Sequence, residues 1–88
     1  DWKEAVKWFR KAAEQNNPRG QTNLGQMYSK GNGVEKDHKE AIMWFRKAAK
    51  QNYPDAQHEL SAMYWNDEGV QKNVVQAYLW VSLAGKVI

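Results

Sequence analysis

Apolar positions along this chain recur at helical spacing rather than in the strict alternation of a strand. With Trp44 at zero degrees on a helical wheel, Ala41, Ile42, Phe45, Ala48 and Ala49 fill an arc of about 160°, while Lys39, Arg46, Lys47 and Lys50 fall outside it. A stripe that wide needs cover from two sides, and the alanines let neighbours approach closely. A second kind of stripe is narrower. Gly20, Met27 and Tyr28 lie within about 60° of Leu24, with small Gly25 at the edge. Arg19, Thr22, Asn23, Gln26, Ser29 and Lys30 occupy the opposite face.

Punctuation between the stripes marks the ends of the helices. Asp1, Asp37 and Asn73 are good N-cap residues, each followed three positions later by Glu4, Glu40 or Gln76, the spacing of a capping box. Asn16 and Asn52 suit the left-handed residue that often follows a helix. Pro18 and Pro54 suit a first helical turn, where no N–H is needed. Gly33 and Gly69 are expected at positive φ in the next connection, with Val34 and Val70 folded back as apolar plugs.

These signals repeat with a period of 36 residues. Residues 1–36 laid on 37–72 give 20 identities, and Ala77, Trp80, Ala84 and Lys86 carry a third, more diverged copy. Leu24, Met27 and Tyr28 recur as Leu60, Met63 and Tyr64, and Gly20 and Gly25 as Ala56 and Ser61. The expected organisation is a partial repeat over 1–16 and full repeats over 17–52 and 53–88, five helices in all. Opening and closing on the same half of the repeat is the phase expected of a segment cut from a longer array. A two-helix unit of this size cannot bury both its faces alone, so neighbouring copies must supply the core.

The combination Leu24-Gly25, Tyr28, Gly31-Asn32-Gly33-Val34, Asp37, Ala41, Trp44-Phe45 and Ala48-Ala49 resembles the Sel-1-like repeat, a relative of the tetratricopeptide repeat. Gly20, Ser61, Asp67 and Val81 depart from that pattern without threatening it. The resemblance implies an all-α fold, a right-handed α/α superhelix of antiparallel helix pairs. It implies a concave wall lined by the helices that begin at Pro18 and Pro54, and a scaffold or adaptor role toward other proteins. It also implies a bacterial setting, periplasmic or secreted, with a cytoplasmic one left open, since no residue here assigns a compartment.

Composition narrows the chemistry. Cysteine is absent, which removes disulfides, thiolate metal sites and cysteine nucleophiles. His38 and His58 are the only histidines, and His58-Glu59 lacks the second histidine of a zinc-binding His-Glu-x-x-His helix. No nucleophile elbow, phosphate loop or dinucleotide fingerprint is present, and Gly31-Asn32-Gly33 belongs to the repeating turn. The expectation is therefore no enzyme, no metal and no cofactor. No apolar run approaches the roughly 20 residues of a membrane span, and no basic-then-apolar leader is visible in these residues.

The net charge of +3 divides unevenly, with +5 on residues 1–50 and −2 on residues 51–88. Lys3, Lys7, Arg10, Lys11, Arg46, Lys47 and Lys50 could form a nucleic-acid face, but interleaved Glu4, Glu14, Glu35, Asp37 and Glu40 give the pattern of a solvated helical surface. The expected partner is another protein or a peptide, without nucleic acid or membrane insertion. Its wall would be Arg19, Thr22, Asn23, Gln26, Ser29 and Lys30 in one copy and Asp55, His58, Glu59, Ala62, Trp65 and Asn66 in the next. Trp8, Trp44 and Trp80 share one repeat position and are expected in the core, whereas Trp2 lies in a first turn. Trp65 replaces Ser29 on the polar face, either as an apolar anchor or packed on the loop that follows it. Three alternatives remain open at this level. They are a basic-face nucleic-acid binder, a β-lactam-binding or hydrolysing enzyme as linked to cysteine-rich relatives, and self-association through the apolar last helix.

Overall fold

The computed structural model describes residues 1–65. They form four α-helices in two antiparallel hairpins: α1 (Trp2–Glu14), α2 (Pro18–Lys30), α3 (His38–Ala49) and α4 (Pro54–Trp65). The expected fifth helix, the Asn73 cap, the Gly69-Val70 turn, Trp80 and Asn66 lie outside the described residues.

Each helix starts and stops where its side chains dictate. The Asp1 carboxylate accepts the Lys3 N–H at 3.0 Å, and the Asp37 carboxylate accepts those of Lys39 and Glu40, both at 3.1 Å. These bonds occupy amide protons that a helix N-terminus leaves unpaired. At the other end Asn16 (φ 65°) and Asn52 (φ 60°) turn left-handed. The Asn17 N–H then reaches back to the Ala12 carbonyl, and that of Asn16 to Ala13, closing a Schellman turn. Asn17 immediately begins the next helix by accepting the Gly20 N–H at 3.0 Å. Two adjacent asparagines thus end one helix and start another.

The connection from α2 to α3 is equally determined. Gly31 (φ 72°) and Gly33 (φ 74°) both hold the left-handed conformation. A Cβ on Gly33 would collide with the Trp2 carbonyl, because the loop folds tightly against the start of α1. Val34 packs on the cluster around Val6 as expected, and the Asp37 N–H donates to the Tyr28 carbonyl at 2.9 Å.

Packing shows why neither hairpin is self-sufficient. One cluster joins Ala41, Ile42, Phe45, Ala48 and Ala49 of α3 to Ala56, Leu60, Met63 and Tyr64 of α4. A second joins Val6, Ala13, Leu24 and Met27 of the first hairpin, and its fifth member is Trp44 from α3. The second hairpin therefore completes the core of the first, and α3 packs on α2 as well as on α4. Contact is close. A Cβ on Gly25 would lie 2.6 Å from Cε1 of the Phe45 ring, and one on Gly20 would lie 2.6 Å from the Ala12 Cβ.

Trp8 departs from expectation. It occupies the repeat position of Trp44, yet it is 58% exposed where Trp44 is 7% exposed. Periodicity identifies the apolar face of α1, but burial requires a neighbour, and among the described residues α1 has nothing in the place that α2 takes against α3.

Candidate protein-binding surface

The helices α2 and α4 carry the expected wall, and they meet each other directly. Their inward residues are fixed: Leu24 and Leu60 are fully buried, and Met27, Met63 and Tyr64 nearly so. On the outward side Arg19, Lys30, Asp55, His58, Ala62 and Trp65 are exposed, and Asn23, Gln26, Ser29 and Glu59 are half-buried. Thr22 does not belong with them. It is 3% exposed, and its hydroxyl donates to the Pro18 carbonyl at 2.8 Å. A short side chain that bonds back to its own helix stays low on the surface, so Thr22 offers nothing to a partner. Ser29 likewise donates to the Gln26 carbonyl, at 3.2 Å. Trp65 is 54% exposed, a large aromatic near the end of α4.

Polar residues that sequence patterning passes over hold this wall in place. Gln21 and Gln57 occupy one repeat position and are almost wholly buried. Each sends its side-chain amide to a carbonyl at the end of the preceding helix, Gln21 to Ala13 at 3.3 Å and Gln57 to Ala49 at 3.2 Å. The Gln51 amide then donates to Gln21 Oε1 at 3.0 Å and to Asn16 Oδ1 at 3.3 Å, linking one hairpin to the next. Gln57 Oε1 has no partner among the described residues, and the residue one period beyond Gln51 is Val87, whose side chain cannot donate. Gln21→Leu should lower stability by about 1–3 kcal/mol, since the freed carbonyl stays buried. Urea denaturation checks the value. The signal for these residues was the identity of a polar side chain in both copies.

The basic residues of α1 and α3 are similarly engaged. Arg10 donates to the Tyr28 hydroxyl at 2.7 Å and Arg46 to that of Tyr64, each guanidinium also lying over the ring. Lys11 sits 4.8 Å from the Trp8 ring centroid and Lys47 4.8 Å from that of Trp44. Four of the seven cations that could have made a nucleic-acid face therefore bind aromatic side chains of their own chain. A cleft between the two hairpin turns, lined by Asn16, Gln21, Trp44, Lys47, Lys50 and Gln51, shares no residue with the expected wall.

Among the described residues no group of three or more His, Asp or Glu could hold a metal ion. No described helix is long and apolar enough to cross a membrane.

Comparison with known proteins places this architecture. The Sel1 repeat model matches residues 3–17, 18–53 and 54–86. No curated protein sequence matches the chain. Among solved structures, a Sel1 repeat protein from Oxalobacter formigenes is 47% identical with a TM-score of 0.92, over 99% of this chain and 36% of that one. The protective antigen c5321 of uropathogenic Escherichia coli, which displays an SLR fold, is 41% identical with a TM-score of 0.95, over 98% and 18%. Helicobacter pylori cysteine rich protein B is 30% identical with a TM-score of 0.88, over 93% and 62%. The chain thus spans about a third of the first relative and under a fifth of the second. Such repeats form helical solenoids that generally mediate protein–protein interactions and are generally non-enzymatic. With a family model matching nearly every residue and an α-hairpin architecture to go with it, the chain belongs to the Sel1 repeat family.

Proposed function

We propose that this chain is a protein-binding module that holds a peptide or protein segment along the outward row of α2 and α4. The observation that carries this is a contrast between the two copies. Leu, Met, Tyr and Gln recur unchanged on the inward side, whereas the four outward positions described in both copies differ: Arg19 and Asp55, Asn23 and Glu59, Gln26 and Ala62, Ser29 and Trp65. Cohesion keeps the large seam residues the same, and only small ones exchange there, Gly20 for Ala56 and Gly25 for Ser61. A row that faces outward is where two copies can acquire different chemistry, basic and amide-rich in the first, acidic and aromatic in the second.

The partner is matched accordingly. A segment with an acidic end over Arg19 and Lys30 and a basic or apolar end over Asp55, Glu59 and Trp65 would meet complementary charge along its length. A stacked helical array is already ordered, so binding costs little rearrangement. Catalysis plays no part in this role.

Site-specific photo-crosslinking from positions 26 and 62 tests it. The expected result is one crosslinked protein partner, captured about tenfold less by Trp65→Ala and unaffected by Lys7→Ala, while the melting temperature of Trp65→Ala stays within a few degrees of the parent. Capture that follows Lys7 and falls steeply with salt would instead mark a polyanion on the basic helices and would overturn the proposal.

A further inference from the structure

We propose that the cleft between the two hairpin turns binds a small monocarboxylate with an apolar body, its oxygens held by Lys47, Lys50 and the indole N–H of Trp44. The cleft has a volume of about 530 Å³, within the range of small-ligand sites. Its walls come from α1, α2, α3 and the turns that follow α1 and α3, so it lies at the joint between two copies. It shares no residue with the outward row of α2 and α4. One polar group there is unaccounted for. Trp44 is 7% exposed, and its Nε1–H is buried without an acceptor among the described residues. Buried donors are nearly always paired, and the cleft that Trp44 lines is where an acceptor can enter.

The surroundings define that acceptor. Lys47 and Lys50 line the cleft against a single carboxylate, that of Glu14, and the positive excess suits a monoanion better than a phosphate dianion. Lys47 Nζ lies 4.8 Å from the Trp44 ring centroid. An ammonium has three N–H groups, so one turned to the ring leaves others for a carboxylate beside the indole. Ala13 and the indole give the apolar body its surface. The Gln51 amide is already engaged by Gln21 and Asn16, and it fixes the edge of the cleft. The fold does not demand this set of residues. One period on, Leu83 stands in place of Lys47, Val87 in place of Gln51, and Lys50 itself in place of Glu14. Cohesion between copies therefore does not account for two lysines at this joint.

Titration of the full chain with benzoate, followed by NMR of the tryptophan indole N–H groups, tests the proposal. The Trp44 signal is assigned through its contacts to Leu24 and Met27. Benzoate should move that signal downfield along a saturating curve and leave exposed Trp8 in place. Benzamide, which has the same shape without the charge, should not move it, and neither should inorganic phosphate. Lys50→Gln should raise the benzoate Kd about tenfold, while Lys7→Gln, outside the cleft, leaves it unchanged. A Trp44 signal that benzoate does not shift overturns the proposal. An equal response to phosphate would mark counterions on the lysines only, and an equal response to benzamide an apolar contact only; either overturns it. So does a benzoate Kd that Lys50→Gln does not change.

Discussion

Replacing Trp44 with alanine is expected to destabilise the fold by about 3–5 kcal/mol, whereas the same change at Trp8, one repeat earlier, should cost under about 1 kcal/mol. The two side chains share a repeat position and an identical downstream sequence through Ala12-Ala13 and Ala48-Ala49. Only Trp44 has a neighbouring hairpin to fill, where it joins Val6, Ala13, Leu24 and Met27. Removing it leaves a void walled by residues of another hairpin, and α2 cannot collapse into the space without losing contact with α3. Trp8 gives up little by truncation, mainly its contact with Lys11. Thermal unfolding followed by circular dichroism should show a drop of about 15 °C or more for Trp44→Ala and a few degrees for Trp8→Ala. Equal losses would mean that Trp8 is covered in solution, or that Trp44 is not the joint between hairpins.

The second large effect is expected at Gly25. Leucine there should cost about 3 kcal/mol or more, because a Cβ alone would lie 2.6 Å from Cε1 and 2.8 Å from Cδ1 of the Phe45 ring. That ring has no exposed surface. It can yield only by pushing α3 away from α2. Alanine should cost less, since the gain in helix propensity of about 1 kcal/mol offsets part of the clash. The diagnostic is coupling. Phe45→Leu alone should be destabilising, yet in the Gly25→Ala background it should cost less than in the parent, by about 1 kcal/mol, as the smaller side chain makes room. Denaturant midpoints of the four proteins in that cycle provide the check. Strict additivity would contradict the close approach of α2 and α3 as the source of the cost.

Much of the fold was legible because its signals are local. Asp37 caps α3, Asn16 and Asn52 turn left-handed, and Gly33 sits at positive φ, each for a reason contained within a few residues. The apolar stripe of α3 was legible too, since an arc that wide has to be covered on two sides. Trp8 was misjudged because a wheel shows which face is apolar and says nothing of whether a neighbour lies on it. Thr22 was misjudged because an angle around a helix ignores how far a side chain reaches; a threonine bonded back to the Pro18 carbonyl stays buried where Lys30 and Arg19 reach solvent. Gln21 and Gln57 were missed since a buried polar residue interrupts no stripe and completes no motif. Their meaning emerges only when each amide is seen on the carbonyl that ends the preceding helix.

The wall itself was readable as a polar face. The structure adds that most of it is exposed and rigidly backed, with leucine, methionine and tyrosine behind it in both copies. Exposure of Trp65 fits either an anchor or a residue that leans on its own chain, and crosslinking with the alanine variant separates them.

The claim beneath all of this is that adjacent hairpins share one core and do not fold as separate units. Native-state amide hydrogen exchange on Trp44→Ala addresses it most directly. Amides in α2, near Leu24 and Met27, should lose protection together with those of α3 and by a similar factor, although the substitution is in the other hairpin. Protection lost in α3 and α4 alone, with α2 unchanged, would contradict it.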